Sequence, residues 1–272
     1  MKYCSVNGQQ QTTIALTDRG LAYGDGLFTT AKIVNGQVIL LAKHIERLVV
    51  GCQRLKLPLA FIQHLHTQLS QQLPNVASTF SLAVLKVMIT TGSGGRGYSR
   101  IGLNDNAMNI IITVSDFPEH YPELAQKGIT LGDSEQQLGT STMLAGLKHL
   151  NRLEQVLLRA ELDERIEDDL VVTNNQGYVV EATSANVFYW LDDQLSTPDL
   201  SMSGVNGIIR QTIIAQNPKI KICQSKLSDL KEVQGMFICN ALMGIIPVKT
   251  YNNRHLAVEA VQQIQQRMQG MI

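Results

Sequence analysis

Lys148 stands in a setting that changes what a lysine can do. It lies in Met143-Leu144-Ala145-Gly146-Leu147-Lys148-His149-Leu150. Burying an amine among apolar residues disfavours its charged form and lowers its pKa, and a neutral lysine amine is the nucleophile of Schiff-base chemistry. The segment by itself also suits a surface lysine at a helix start, its stem lying along apolar neighbours. Other segments hold what such an amine would need beside it. Glu181 opens Glu181-Ala182-Thr183-Ser184-Ala185-Asn186-Val187-Phe188, where a carboxylate can bond a protonated ring nitrogen or be an ordinary strand-end acid. Ser203-Gly204-Val205-Asn206-Gly207-Ile208-Ile209-Arg210 reads as a glycine turn into a helix. The free amides at such a helix start suit a phosphate, although the turn is also a common connection. In Leu41-Ala42-Lys43-His44-Ile45-Glu46-Arg47-Leu48, His44 and Arg47 share a helix face. Arg47 can grip a phosphate by paired hydrogen bonds or be a solvated helix arginine, and His44 suits a structural role.

Gly92-Ser93-Gly94-Gly95-Arg96-Gly97-Tyr98-Ser99 formally contains G-x-G-x-x-G after a strand-like run. The dinucleotide reading fails on context, because residues 100–106 open no amphipathic helix and no βαβ unit follows. What remains is a flexible glycine loop carrying Arg96 and Tyr98, set over an anionic substrate or simply mobile. His64-Leu65-His66 places its imidazoles on different helix faces with no acids or thiols to match, so no metal site is expected. No strand–turn–helix segment carries G-x-S-x-G.

The elements that must position these groups follow from periodicity. Asn7-Gly8 and Asn35-Gly36 sit between β-type residues and predict hairpins. Apolar residues Ile45, Leu48, Val49, Cys52 and Leu55 recur at helical spacing, with a second helix over 59–72. Residues 81–91 and 109–114 read as buried strands. The stretch 115–123, with two prolines and three acids, is the best linker. This gives a smaller domain over 1–114, a linker over 115–124, and a larger domain over 125–272 carrying Lys148. Within the latter the pattern predicts a strand near 128–131, a helix near 150–162, a hairpin through 174–177, strands at 186–191 and 236–239, and helices at 207–215 and 258–268. Hairpins mixed with helices make an α+β class with mostly antiparallel sheets.

Composition narrows the function. The chain has 272 residues, 44% of them hydrophobic and 17% charged, against about 25% charged in a typical soluble domain. Apolar surface therefore needs cover, and a subunit interface is the usual place. With 23 basic and 23 acidic residues, no long-range pull toward nucleic acid or an anionic membrane is expected. The four cysteines show no C-x-x-C spacing, which fits a reducing cytoplasm. The first residues lack the apolar core of a signal peptide, and no run approaches the ~20 apolar residues that span a bilayer.

An amine for Schiff-base formation, a carboxylate for a ring nitrogen and two phosphate-binding features together describe the needs of pyridoxal 5′-phosphate (PLP). Across nearly the whole chain the sequence resembles the fold-type IV PLP enzymes. The carriers are Thr17-Asp18-Arg19-Gly20-Leu21-Ala22-Tyr23-Gly24-Asp25-Gly26-Leu27-Phe28-Thr29-Thr30, the segments quoted above, and Cys239-Asn240-Ala241-Leu242. Gly-Gly-Arg-Gly-Tyr and Lys148-His149-Leu150-Asn151-Arg152 look like the aminodeoxychorismate lyase branch. The resemblance implies a two-domain homodimer with PLP in the interdomain cleft. It implies that Lys148 forms the covalent link and that Glu181 bonds the pyridine nitrogen. Arg47, the turn at Gly207 and the amides of Ile208 and Ile209 would hold the phosphate, with Asn240 adding a side-chain donor. Val205 would pack on the ring. Tyr23, Arg96 and Tyr98 would meet the substrate carboxylates. The implied reaction converts 4-amino-4-deoxychorismate, supplied by the aminodeoxychorismate synthase, to p-aminobenzoate and pyruvate for folate synthesis. The competing expectations are a D-amino acid or branched-chain aminotransferase on the same site, a non-catalytic PLP module, and a nucleotide-binding module on the glycine loop.

Overall fold

The structure, a computed structural model, describes residues 1–104 and 107–272. The chain divides into two compact units, Met1–Pro118 with Lys148–Asn151, and Glu119–Leu147 with Arg152–Ile272. The break at Pro118 falls within the stretch expected to link two domains. Lys148 differs from expectation, clustering with the first unit rather than the second. The reason is local pairing, described below.

The first unit holds β1 (Tyr3–Val6), β2 (Gln9–Gln10), α1 (Arg19–Tyr23), β3 (Gly26–Val34), β4 (Gln37–Val38), α2 (Leu41–Arg54), α3 (Leu59–Ala77), β5 (Leu82–Thr90) and β6 (Asn109–Ser115). Its strands form one sheet in the order β2-β1-β6-β5-β3-β4, antiparallel throughout. Both Asn-Gly pairs turn hairpins with positive φ at each residue, the conformation a two-residue turn needs. On β3 the residues Leu27, Thr29, Ala31 and Ile33 are buried, while those between them are only half-buried. That period of two lays one face against α2, whose Ile45, Leu48 and Cys52 join the same core. The approach is close: a Cβ on Gly51 would lie 2.9 Å from Leu27 Cδ1. Residues 100–104 form no helix, and Asp105 and Asn106 lie outside the described residues.

The second unit holds α4 (Tyr121–Lys127), β7 (Ile129–Leu138), α5 (Leu153–Asp163), β8 (Asp169–Asn174), β9 (Val179–Ala182), β10 (Asn186–Leu191), β11 (Gln194–Pro198), α6 (Ile208–Gln216), β12 (Lys221–Cys223), β13 (Gly235–Asn240), β14 (Gly244–Tyr251), β15 (Arg254–His255) and α7 (Glu259–Met268). Its sheet runs β12-β11-β10-β13-β14-β7-β8-β9, with β15 on β14. Antiparallel pairs dominate; the parallel ones join β11 to β12, β14 to β7 and β7 to β8. The class is α+β, as the residue pattern predicts. The helix expected from residue 150 begins at Leu153, because the residues before it are extended. No helix among the described residues is long and apolar enough to cross a membrane.

Candidate active site

In the first unit a lysine and an arginine lie against consecutive residues of β3, Phe28 and Thr29. Residues 148–150 lie antiparallel to the start of that strand: Phe28 N–H donates to Lys148 O at 2.9 Å and Leu150 N–H to Gly26 O at 3.0 Å. Asn151 adds a side-chain bond to Gly24 O at 3.0 Å. This pairing occupies the β3 edge opposite β5, and it places Lys148 Nζ 4.8 Å from the centroid of the Phe28 ring. Lys86, on the neighbouring strand, lies 4.9 Å from the same ring. Desolvation lowers the Lys86 pKa.

Arg47 meets the next residue. Its Nη2 donates to Thr29 Oγ1, and Thr29 Oγ1 lies 2.6 Å from His44 Nδ1. Since Thr29 accepts from Arg47, its own hydrogen goes to His44 Nδ1, which must then be an acceptor on a neutral ring. Burial, followed by the nearby Arg47 charge, holds the His44 pKa down to about 3. Desolvation brings Arg47 to about 10, still cationic at neutral pH. The Arg47 Nε is buried without a hydrogen-bond partner among the described residues. A buried guanidinium N–H in that condition calls for an acceptor from outside the protein chain. Phe28 and Thr29 leave β3 on opposite faces, and a strand edge is where one ligand can be approached from both.

A neutral buried histidine makes folding sensitive to acid. The folded-state value lies below the reference of 6.5, so the unfolded chain binds the proton first as pH falls. Stability from this group should be complete above about pH 6.5 and drain away toward pH 3, by at most roughly 1.4 kcal/mol per pH unit. Melting temperature measured from pH 7 to pH 4 should therefore fall more steeply in the wild type than in His44→Asn. Parallel curves would show that His44 is not the group responsible.

The second unit builds a different set of groups around one turn. Gly204, at φ +81°, has no room for a Cβ, which would sit 2.5 Å from Val180 Cγ1 and 3.2 Å from Glu181 Oε2. The turn that follows is held through Val205: its N–H donates to buried Glu181 at 2.9 Å, and its carbonyl accepts from Asn186 Nδ2 at 2.8 Å. Asn186 Oδ1 then accepts from Gly207 N–H at 3.1 Å. Buried Arg210 reaches back to Asn206 Oδ1 at 2.9 Å and Pro198 O at 2.8 Å. Gly146 brackets the turn, giving its N–H to Gly204 O and taking that of Asn206. The result is a fixed N-terminus for α6, where no side chain caps Gly207. The first amides, those of Ile208 and Ile209, stand at the positive end of the helix dipole.

Several expected groups have tasks that the residue pattern did not disclose. Asn240 accepts from Leu242 and Met243 N–H at 2.9 Å each and donates to Ser184 O at 3.2 Å. It therefore ties a turn to the neighbouring loop, and one of its two N–H groups is committed there. Tyr23 and Tyr98 stack edge to face with centroids 5.3 Å apart; Arg96 is exposed on the loop that bears Tyr98. Buried Arg19 bonds four carbonyls of that loop. Asn186, Arg210 and Arg19 all lie inside motifs singled out above, but nothing in residue type or spacing marks which ones are buried hubs.

Residues 26–251 match the amino-transferase class IV family. The chain belongs to that family. Within the class IV aminotransferases it is similar to the aminodeoxychorismate lyase of Vibrio harveyi, 36% identical over 249 residues that cover 89% of each chain. It is also similar, at 25% identity over 96% of this chain and 90% of the relative, to a putative branched-chain-amino-acid aminotransferase of Methanocaldococcus jannaschii. Among solved structures, the 4-amino-4-deoxychorismate lyase of Pseudomonas aeruginosa superposes with a TM-score of 0.90 at 32% identity, over 99% of this chain and 100% of that one. The class IV aminotransferase fold, type IV of the PLP enzymes, is thus the fold of this protein.

Proposed function

We propose that this protein is a PLP-dependent lyase that converts 4-amino-4-deoxychorismate to p-aminobenzoate and pyruvate, a step of folate synthesis. The observation that carries the choice of reaction is the similarity, at 36% and 32% identity over nearly the whole chain, to two lyases of that name, beside weaker similarity to aminotransferases. The cofactor reading rests on the chain's own groups. Lys148 would hold PLP covalently and Glu181 would pair with its ring nitrogen. Arg47, whose buried Nε has no partner among the described residues, would hold the phosphate together with Gly207 and the Ile208 and Ile209 amides of α6, which has no side-chain cap. The second N–H of Asn240 would add to this, and Val205, fixed through both its backbone groups, would lie against the ring.

When bound, PLP supplies an electron sink that acidifies the C–H bond beside the substrate nitrogen. The protein must place a base at that hydrogen. Lys148 is that base: its amine takes the proton from C4 of the substrate ring. The C3–O bond then breaks, its electrons leave with the enolpyruvyl oxygen, and the six-membered ring becomes aromatic. The protonated Lys148 can return a proton to the departing group, which tautomerises to pyruvate. Tyr23, Arg96 and Tyr98 would orient the substrate carboxylates. A carboxylate at Glu181 keeps the cofactor nitrogen protonated through its negative charge. Glu181→Gln preserves an acceptor for Val205 N–H but removes that charge. A charge-assisted hydrogen bond is worth about 1.5–3 kcal/mol, so kcat should fall roughly 10- to 100-fold while the melting temperature barely changes. An unaltered kcat would remove Glu181 from the chemistry.

We place the protein in the cytoplasm as a homodimer, consistent with four free cysteines. Apolar side chains left exposed on the first unit, Leu16, Leu21 and Ile101 among them, would be covered at the dimer interface. The decisive assay supplies chorismate, glutamine and an aminodeoxychorismate synthase and measures p-aminobenzoate and pyruvate, expected in equal amounts. Absence of both, with keto acid formed from D-alanine or a branched-chain amino acid, would overturn the lyase in favour of an aminotransferase.

A further inference from the structure

The Asp-Arg-Gly…Gly-Asp-Gly segment contains a buried cation that the reaction above does not use. Arg19 is 3% exposed. Its Nε donates to Asp25 at 2.9 Å, and Arg100 engages the same carboxylate. The rest of the guanidinium is spent on the glycine loop: Nη1 reaches Gly94 O at 3.4 Å, Gly97 O at 2.8 Å and Ser99 O at 3.3 Å, and Nη2 reaches Tyr98 O at 3.1 Å. The Arg19 Cζ also lies 5.0 Å from the centroid of the Tyr23 ring, which stacks on Tyr98. One buried side chain thus touches both elements that carry Tyr23, Arg96 and Tyr98.

The geometry points to Arg19 as a positioning residue for substrate, which shapes the glycine loop into a carboxylate-binding face. In a trans peptide the C=O and the following N–H point in opposite directions. Drawing the carbonyls of Gly94 and Gly97 inward therefore turns the Gly95 and Tyr98 N–H groups to the face away from Arg19. Gly94, Gly95 and Gly97 all have positive φ, which that path of carbonyls requires and which glycine tolerates. Outward amides beside the Arg96 side chain and the Tyr98 hydroxyl make a set of donors matched to an anion. Asp25 anchors the Arg19 Nε and so fixes the direction in which the guanidinium reaches the loop. Arg19 is well suited to this task because its planar fork serves several acceptors at once, which a lysine cannot do.

This inference rests on the reading that Arg96 and Tyr98 contact substrate, and the test separates the two. Steady-state kinetics with aminodeoxychorismate and titration of PLP absorbance are run on Arg96→Ala, Arg19→Gln and the double variant. The expected result is that each single change raises KM about tenfold while kcat stays within about threefold and PLP affinity is unchanged. The double variant should be no worse than Arg96→Ala alone, since both changes remove one interaction. If Arg96→Ala raises KM and Arg19→Gln does not, Arg19 has no positioning role and the substrate reading stands. Multiplying effects in the double variant would likewise overturn the inference. An unchanged KM in Arg96→Ala would remove the substrate reading and this inference together. Should Arg19→Gln lose its fold or its PLP, Gly95→Ala takes its place. A Cβ there would lie 2.3 Å from Ser99 O and 3.2 Å from Arg19 Nη1, which displaces the loop with Arg19 intact. KM should rise about tenfold in that variant as well, and an unchanged KM would refute the role.

Discussion

Lys148→Ala should abolish p-aminobenzoate formation and any amino transfer alike, with a loss of at least the roughly 10²–10⁴-fold that a positioned base contributes. In the proposed reaction one side chain has two tasks, covalent attachment and proton removal, and alanine performs neither. The fold should survive, because the backbone of this segment does the pairing: Phe28 donates to Lys148 O, and Leu150 to Gly26 O, whatever side chain stands at 148. Borohydride reduction followed by peptide mass mapping checks the attachment directly. The wild type should carry a pyridoxyl group on the peptide containing Lys148, and the variant should carry none there. An adduct on another lysine, with Lys86 the natural suspect beside the same Phe28 ring, would sink the assignment even if Lys148→Ala were inactive.

Arg47→Ala should weaken PLP binding by about 10²–10³-fold. Truncating one member of a buried, hydrogen-bonded charge pair costs about 2–5 kcal/mol, and each 1.4 kcal/mol is tenfold in affinity. The loss should fall on the cofactor rather than on folding, because Thr29 and His44 remain bonded to each other when the arginine goes. Arg47→Lys keeps the charge but not the fork, and should lie between the wild type and alanine. Equilibrium dialysis against PLP, with apoprotein melting temperature as the companion, gives the answer. An affinity within a factor of two of the wild type would leave Arg47 as a structural partner of Thr29, and the phosphate would then depend on α6 alone.

The secondary structure was largely legible. Apolar spacing located α2 and α6 to within a few residues, and Asn-Gly located both hairpins of the first unit, because these signals are local. The helix after Lys148 was misjudged at its start for a non-local reason. Residues 148–150 are extended because β3, more than a hundred residues earlier, offers a free edge, and no window around Lys148 contains that information. The glycine loop shows the same limit: its composition does not disclose that a buried arginine from α1 reaches four of its carbonyls.

The site divides along the same line. From the residues came the candidate chemistry: an amine in apolar company, a strand-end carboxylate, a glycine turn before a helix and an arginine three residues from a histidine, each open to a bland reading alone, together resemble a PLP site. Residue type determines what a group can donate, accept or attack, and that survives without coordinates. Only the tertiary structure decided which groups hold others in place. It made His44 a neutral partner of Thr29, gave Asn240 a turn to tie, joined Glu181 to Asn186 through Val205, and put Arg19 under the glycine loop. Lys148 belongs to both accounts. Its sequence neighbours fit a surface lysine as well as a Schiff-base amine, and distant segments raised the second reading; its place beside Phe28 comes from strand pairing, which depends on backbone groups that every residue shares and no residue type announces.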